Sequence, residues 1–181
     1  MKKNIADHAL QLIEESQTIF LDGSSISHHM LRGLSSHKHL TVVSNSASIC
    51  YRLAETGLTV YGIGGMLAFK DYIYVGSYAE EMVMHMQFDS MFFSSSGVSM
   101  AGKITGHYEP SVGFLQKVIQ QSEKVYYMAD SSRIGRTHMH TICDVADVDR
   151  FLCDSPLPDE LAARIGEKKG RTSNKINSLV L

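Results

Sequence analysis

The strongest constraint on the fold is an alternation of short apolar runs with longer amphipathic segments along the chain. Short apolar runs bounded by turn residues are typical of buried strands, whereas apolar residues recurring every three or four positions are typical of helices. Strands are predicted at 18–22, 40–44, 58–63, 89–94, 124–130 and 149–154. Helices are predicted at 5–15, 26–35, 47–56, 77–86, 110–122 and 158–165.

Strands that alternate with helices over short connections predict βαβ units, and therefore parallel strands with helices on both faces. The expected architecture is α/β, with three layers (α/β/α) built on a mainly parallel, Rossmann-like sheet. A length of 181 residues suits one domain better than two, and no linker rich in Pro, Gly or Ser interrupts the chain. We expect one domain over 1–165, followed by a polar, basic tail at 166–181.

The charge balance argues against direct binding of duplex DNA by this chain. It has 17 Lys and Arg against 19 Asp and Glu, whereas a DNA-binding surface carries a basic excess that neutralises phosphates. The three cysteines, Cys50, Cys143 and Cys153, are isolated from one another in the sequence, which disfavours a disulfide framework. No run approaches the roughly 18 apolar residues of a membrane span. We therefore expect a soluble, cytoplasmic protein that does not bind membranes.

Small polar residues follow several of the predicted strands. The loops contain Asp22, Gly23, Ser24 and Ser25, then Ser44, Asn45 and Ser46, then Gly64 and Gly65, and finally 94–97. Ligands of an open parallel sheet bind beside the carboxyl ends of its strands, and helix N-termini, hydroxyls and glycine backbone suit an anion. The alternative is that each Ser or Asn only caps its helix. Because several such loops meet at one sheet edge, we favour an anion pocket.

The same motifs occur in an order that resembles a known family. They are 19–25 (IFLDGSS), 40–46 (LTVVSNS), Gly64-Gly65, Gly76, 89–92 (DSMF), 96–98 (SGV), Glu109 and 130–133 (DSSR). Each motif is weak alone, but the ordered set resembles the C-terminal sensor domain of DeoR-type transcriptional repressors. The resemblance extends from about Ile5 to Asp154.

The resemblance implies a fold shared with ribose-phosphate isomerases, glucosamine-phosphate deaminases and coenzyme A transferases. It also implies a phosphorylated sugar as effector and assembly as a homodimer or homotetramer. The family normally reads DNA through a winged helix-turn-helix placed ahead of this domain. Nothing like that segment precedes Ile5. We therefore expect DNA contact only through a part missing from this chain, which was either excised or is naturally absent.

The resemblance also extends the candidate effector site. It adds Asp89, Gly97, Glu109, Asp130 and Arg133 to the loops described above. We expect the anion to lie on 22–25 and 44–46, with the backbone of Gly64, Gly65 and Gly97 as walls. Asp89, Glu109 and Arg133 would then bracket the sugar hydroxyls or the phosphate.

Three departures from the family pattern affect this site. The first loop reads Asp22-Gly-Ser-Ser-Ile26, where the family usually has Asp-Ser-Gly-Thr-Thr. The Lys-Arg pair that normally follows the loop glutamate is missing from 109–114 (EPSVGF). The family's later lysine is Arg133 here, which keeps the charge but changes its geometry. We therefore expect an effector that is unusual, that binds more weakly, or that is bound mainly through backbone and serine groups.

Two other functions remain open on the sequence. A sugar-phosphate isomerase or deaminase of the same fold needs a general acid or base, for which Asp89 and Glu109 are candidates. The isomerase loop has a second acid where Phe92 stands, which favours a sensor that is not an enzyme. A bare oligomerisation module with an empty pocket would also explain the missing cations.

A metal site is a further possibility that the sequence raises. His138, His140 and Cys143 have metal-binding side chains at close spacing. A structural zinc site needs a fourth ligand and usually paired cysteines. We therefore expect no metal, and no motif in the chain indicates a cofactor.

Overall fold

The computed structural model describes residues 1–68, 72–165 and 167. The strands along the chain are β1 (Thr18–Leu21), β2 (Thr41–Ser44), β3 (Thr59–Gly62), β4 (Met66–Ala68), β5 (Ile73–Val75), β6 (Phe88–Phe93), β7 (Gly97–Val98), β8 (Lys103–Gly106), β9 (Ser122–Met128), β10 (His140–Asp144) and β11 (Arg150–Leu152). The helices are α1 (Lys2–Leu10), α2 (Ser25–Leu34), α3 (Ala47–Leu53), α4 (Ser77–Met84), α5 (Glu109–Gln120) and α6 (Asp159–Arg164), with 3₁₀ turns at Ser131–Arg133 and Val145–Asp147. The predicted tail at 166–181 lies outside the described residues, apart from position 167.

All six predicted strands pair in one parallel sheet, in the order β11-β9-β6-β1-β2-β3. The chain builds outward from β1 to β3, returns to the other side of β1, and continues outward through β6, β9 and β11. In register, Phe20 of β1 lies between Val43 of β2 and Met91 of β6. The winding direction therefore reverses between β1 and β6. A doubly wound sheet opens a crevice at such a point, beside the carboxyl ends of its strands.

One face of the sheet is covered by α1, α2 and α3. These helices bury Ile5, Met30 and Ile49 in one apolar cluster with Ile19 and Leu21 of β1. Residues two apart in a strand share a face, so both strand residues point toward the same helices. This face forms the first helical layer.

The opposite face of the sheet carries α4, α5 and α6. Phe20 of β1 points to this side, and its ring lies 5.8 Å from the rings of Phe88 and Phe114. The expected α/β fold with three layers is therefore confirmed. α5 is the longest described helix at 12 residues. No helix in the described part of the chain is long and apolar enough to cross a membrane.

Five strands outside the parallel sheet were not predicted from the sequence. β7, β8 and β10 form an antiparallel sheet in the order β10-β8-β7, and β4 and β5 form a hairpin. Three of the four residues of β8 are buried, so the strand lacks the alternation of polar and apolar residues that marks a half-buried strand. Its partner β10 is distant in the sequence, and local pattern analysis does not detect such pairing.

Two aspartates cap strands at the amino edge of the parallel sheet. Asp89, near the start of β6, accepts a hydrogen bond of 2.6 Å from the backbone N–H of Thr18, the first residue of β1. Asp149 accepts one of 2.8 Å from the N–H of Val125 in β9. Backbone N–H groups at a strand end need such partners. Both carboxylates therefore stabilise the sheet at the edge opposite to the crevice.

A third aspartate connects α6 to the antiparallel sheet through hydrogen bonds and an ion pair. Asp144 is only 4% exposed, accepts two hydrogen bonds of 3.1 Å from the Arg164 guanidinium, and pairs with Lys103 at 3.0 Å. Burial by itself would raise the pKa of Asp144, but the Ala146 N–H and the two cations lower it below the ordinary 3.8. Asp144 therefore stabilises the fold in its ionised form.

Replacing this carboxylate is expected to change stability in a pH-dependent way. Asp144→Asn keeps the size but loses the charge, so this variant should have a lower free energy of unfolding than the unaltered protein at neutral pH. A group whose pKa is lowered on folding contributes stability above its unfolded pKa and loses it as the pH falls through the folded value. The difference should therefore shrink below about pH 4.

Urea unfolding across the acid range measures this difference. The exposed Asp7 supplies a matched control, since Asp7→Asn should have little effect at any pH. A stability difference for Asp144→Asn that stayed constant between neutral and acid pH would contradict the assigned role.

Candidate functional site

A cavity of about 380 Å³ opens at the crevice between the carboxyl ends of β1 and β6. It is bordered by the loops after these two strands, by the start of α5, and by Ile73 of β5. Six of the predicted site residues line it, namely Asp22, Gly23, Ser24, Ser25, Asn45 and Arg133. The structure thus brings the first predicted loop together with two residues from distant segments.

The carboxylate of Asp22 joins the two loops that border the cavity. Oδ2 accepts a hydrogen bond of 2.7 Å from the N–H of Ser94, and Oδ1 accepts one of 3.1 Å from the N–H of Ser24 and another from the Ser27 hydroxyl. Burial raises the pKa of Asp22, and these hydrogen bonds act in the opposite direction. With its oxygens occupied in this way, Asp22 positions the loops around the cavity.

Ser24 is the N-cap of α2, and its hydroxyl is already engaged. The oxygen accepts the N–H of Ser27 at 3.2 Å and lies 3.0 Å from the Ser27 hydroxyl. Because the Ser27 hydroxyl donates to Asp22, the Ser24 hydroxyl must be the donor between the two serines. A hydroxyl has one hydrogen, so Ser24 has none left to donate to a ligand.

Ser25, by contrast, keeps its hydrogen. Its oxygen accepts a hydrogen bond of 2.9 Å from the Lys2 ammonium, and its own O–H has no acceptor among the described residues. Within α2, the first N–H groups to find partners are those of Ser27 and His28. The N–H groups of Ser25 and Ile26 remain for a ligand, at the helix end that carries positive potential.

Lys2 was not predicted as a site residue. It lies on α1, which packs against α2, and 23 positions separate it from Ser25 in the sequence. No local motif marks the contact. Only the packing of the two helices places the ammonium against Ser25, which lines the cavity.

The second predicted loop behaves differently from the first. Ser44 and Ser46 are fully buried and do not line the cavity. The Ser44 hydroxyl accepts the N–H of Ser46 at 3.1 Å, and the Ser46 hydroxyl caps α3 through the N–H of Ile49 at 3.4 Å. Both serines are thus engaged within the fold, and their contact with the anion stays a prediction. Of this loop, only Asn45 lines the cavity.

The predicted glycine walls also lie elsewhere. Gly64, Gly65 and Gly97 do not line the cavity. A Cβ on Gly65 would meet the carbonyl oxygen of Val75 at 2.8 Å, and one on Gly97 would meet that of Arg136 at 2.6 Å. Gly65 and Gly97 therefore permit close backbone packing within the fold, not close approach of a ligand.

Three of the four predicted acids are likewise outside the cavity. Asp89 caps Thr18 at the opposite edge of the sheet. Glu109 is exposed at the first position of α5, and Asp130 is a buried N-cap that accepts the N–H of Ser132 at 3.1 Å. Two of these acids are thus engaged as caps and the third faces solvent, so their contact with a sugar stays a prediction.

Three basic side chains contact Ser96, which lines the cavity. The Arg133 guanidinium and Nε2 of His138 each lie 3.2 Å from the carbonyl oxygen of Ser96, to which they donate. Nδ1 of His107 lies 2.7 Å from the Ser96 hydroxyl. Arg133 and His107 line the cavity. His107 was not predicted, because it follows β8, one of the strands that the sequence pattern did not reveal.

The predicted metal-type residues do not assemble into a site. Among the residues that the structure describes, no group of three or more His, Cys, Asp or Glu side chains is arranged to hold a metal ion. This covers His138, His140 and Cys143, which all lie in the described part. His138 instead donates to the carbonyl oxygen of Ser96.

A parallel sheet wound in two directions, with a polar cavity at the point of reversal, defines an α/β domain suited to holding a small molecule. The family model of the DeoR C terminal sensor domain matches residues 1–155. The chain belongs to this family. The resemblance carried by the sequence motifs is thereby confirmed.

Curated relatives of the chain are transcriptional regulators. The chain is 29% identical over 161 residues to the L-fucose operon activator of Haemophilus influenzae, covering 88% of this chain and 64% of that protein. It is 28% identical over 158 residues to the lactose phosphotransferase system repressor of Staphylococcus epidermidis, covering 85% and 62%. The corresponding values for the regulator GlpR of Haloferax volcanii are 25% over 156 residues, 86% and 61%. The chain thus spans about three fifths of the length of these relatives.

Solved structures of other proteins share the fold. Ribose 5-phosphate isomerase A of Neisseria gonorrhoeae matches with a TM-score of 0.53 and 16% identity, covering 74% of this chain and 52% of that one. The eIF2B beta chain of Chaetomium thermophilum matches with a TM-score of 0.58 and 14% identity, covering 83% and 47%. At such identities the likeness concerns the fold alone. It confirms the expectation that this chain shares the fold of ribose-phosphate isomerases.

The role of Ser46 as the N-cap of α3 can be tested by replacing its side chain. Ser46→Ala loses the cap of α3, so the free energy of unfolding should fall by about 1 kcal/mol. Urea unfolding followed by circular dichroism measures this. Ser35→Ala, at an exposed serine, is the matched control and should change stability by less than about 0.5 kcal/mol. Equal effects of the two substitutions would show that Ser46 is not a structural cap.

Proposed function

We propose that residues 1–165 form the effector-sensing domain of a DeoR-type transcriptional regulator of carbohydrate metabolism, and that the cavity binds a phosphorylated sugar. The observation that carries the proposal is the contact of Ser25 with Lys2 at the start of α2. There a hydroxyl, an ammonium and two backbone N–H groups meet beside the cavity. Membership of the sensor-domain family supports the sensing role.

The phosphate lies at the N-terminus of α2. This helix end supplies N–H donors and positive potential, both of which favour an anion. Ser25 adds a hydroxyl donor and Lys2 adds a full positive charge. Lys2 therefore supplies charge that the family's usual Lys-Arg pair would otherwise bring to 109–114.

The sugar extends from the phosphate into the cavity. Arg133 and His107 offer polar contacts on one wall, while Val112, Leu115 and Ile142 offer an apolar surface. Sugars present both hydroxyl groups and apolar C–H faces, so a mixed lining suits them. The volume of about 380 Å³ falls within the range of roughly 300–1,000 Å³ that is usual for small-molecule sites.

Effector binding favours one arrangement of subunits in a homodimer or homotetramer, and a DNA-binding domain outside this chain responds to it in the cytoplasm. The relatives support this scheme, because they are named as regulators and this chain spans about three fifths of their length. An effector can shift such an equilibrium only by the difference in its affinity for the two arrangements.

The proposal excludes an isomerase or deaminase activity. Asp22 is the only carboxylate among the described residues that line the cavity, and its oxygens accept hydrogen bonds from the two bordering loops. The sequence candidates for acid–base catalysis, Asp89 and Glu109, do not line it. A general acid or base must come within hydrogen-bonding reach of the reacting proton. The lining therefore supports binding without turnover.

Calorimetric titration with inorganic phosphate, with hexose and pentose phosphates, and with the matching free sugars tests the proposal. Phosphates should bind and free sugars should bind much more weakly. Lys2→Met should lower the affinity for phosphates about tenfold, since a hydrogen bond from a charged group contributes about 1.5–3 kcal/mol. Lys3→Met, at the exposed neighbouring lysine, is the matched control and should leave the affinity nearly unchanged.

Thermal unfolding and product assays on the same samples distinguish the three candidate functions. Stabilisation by sugar phosphates without product formation supports a sensor. Conversion of ribose 5-phosphate or glucosamine 6-phosphate to product would replace the sensor by an enzyme. If no phosphate bound at millimolar concentration, the proposal would fail in favour of an oligomerisation module with an empty cavity.

A further inference from the structure

One acceptor beside the cavity is without a partner. Asn45 lines the cavity and is only 3% exposed, and its Oδ1 is buried with no hydrogen-bond partner in the described part of the chain. The only other such side-chain atom there is the Ser90 hydroxyl, which lies within β6 and does not line the cavity. A buried acceptor without a donor costs about 1–3 kcal/mol, so an unpaired oxygen at a cavity wall indicates a missing donor.

The orientation of the Asn45 amide is fixed by its other hydrogen bonds. Nδ2 donates to the carbonyl oxygen of Tyr74 at 3.0 Å. A carbonyl oxygen can only accept, so the amide nitrogen must face Tyr74 and Oδ1 must be the free atom. The N–H of Tyr74 also donates to the backbone oxygen of Asn45 at 2.7 Å. Residue 45 is therefore held against β5 through both its side chain and its backbone.

Neighbouring donors of the fold are not available to satisfy this oxygen. The N–H of Ser24 is bonded to the Asp22 carboxylate, and the N–H of Ser46 is bonded to the Ser44 hydroxyl. Because Asn45 lines the cavity, a ligand bound there can supply the donor. A phosphate dianion has only acceptor oxygens and would be repelled by an amide oxygen, whereas a hydroxyl group can donate to it.

We propose that Oδ1 of Asn45 accepts a hydrogen bond from a hydroxyl of the bound sugar phosphate, and that this contact selects hydroxylated phosphate esters over phosphate alone. The inference rests on the proposed function, because it needs the phosphate to be held at Ser25 and Lys2. It divides the site into an anion-binding part on α2 and a hydroxyl-reading part on the loop after β2. A site that contains an acceptor for a hydroxyl rejects ligands that lack one, because the acceptor then stays unpaired.

Calorimetry on the unaltered protein provides the first test. The probes are glucose 6-phosphate, galactose 6-phosphate and fructose 6-phosphate, compared with cyclohexylmethyl phosphate and inorganic phosphate. Cyclohexylmethyl phosphate has a six-membered ring and a phosphate ester like an aldohexose 6-phosphate, but it has no hydroxyl and no ring oxygen. At least one of the sugar phosphates should bind about tenfold or more tightly than it does.

Asn45→Ala provides the second test. It should remove the advantage of the sugar phosphate over cyclohexylmethyl phosphate, while the affinity for inorganic phosphate changes by less than about twofold. Ser46→Ala is the matched control, because it loosens the same loop without touching the acceptor and should preserve the advantage. If Asn45→Ala does not fold, the ligand comparison on the unaltered protein decides the matter alone.

The possible outcomes separate this inference from the proposed function. Equal affinity of the unaltered protein for the sugar phosphates and for cyclohexylmethyl phosphate would overturn the hydroxyl contact while leaving phosphate binding intact. So would a sugar-phosphate advantage that survives in a folded Asn45→Ala variant. If none of the probes bound, inorganic phosphate included, the proposed function itself would fail and the inference with it.

Discussion

The carboxylate of Asp22 joins the loops after β1 and β6 at the point where the cavity opens. It follows β1, and it binds the N–H of Ser94 after β6, which lies 72 positions further along the chain. Removing that acceptor would leave the donors of both loops without partners, at a cost of about 1–3 kcal/mol for each buried group, and would free the loops to separate. The cavity walls therefore depend on a residue that is occupied by the fold and offers little to a ligand.

The hydrogens and lone pairs that the fold leaves unoccupied decide which polar residues around the cavity can bind a ligand. The hydroxyls of Ser24, Ser44 and Ser46 are engaged in helix caps and loop contacts, whereas Ser25 retains a hydrogen and Asn45 retains an oxygen. These residues lie close together in two short loops of similar composition. Their residue types alone do not separate the capping members from the others, since a free and an occupied serine look the same in a sequence.

The basic side chains around the cavity come from three elements that are remote in the sequence. Lys2 lies on α1, His107 follows β8, and Arg133 ends the turn at Ser131–Arg133. Coulomb attraction depends on separation in space, so charge missing from one segment can be supplied by another that packs beside the same ligand. The absence of the family's Lys-Arg pair from 109–114 therefore does not leave the cavity without cations.

The spacing of the apolar residues was enough to predict the six parallel strands, the helices and the three layers. This spacing is a local property of the sequence, because burial of one or both faces of an element imposes it directly. It also indicated that Asp22–Ser25 would lie at the carboxyl edge of the sheet. Asp89 was also expected at the effector site, although the predicted strand 89–94 already put this residue at the amino end, and the structure has it at the edge opposite to the cavity. Only the tertiary structure decided which side chains border the cavity and which remain free, since the Lys2–Ser25 and Asn45–Tyr74 contacts join segments whose proximity arises from packing.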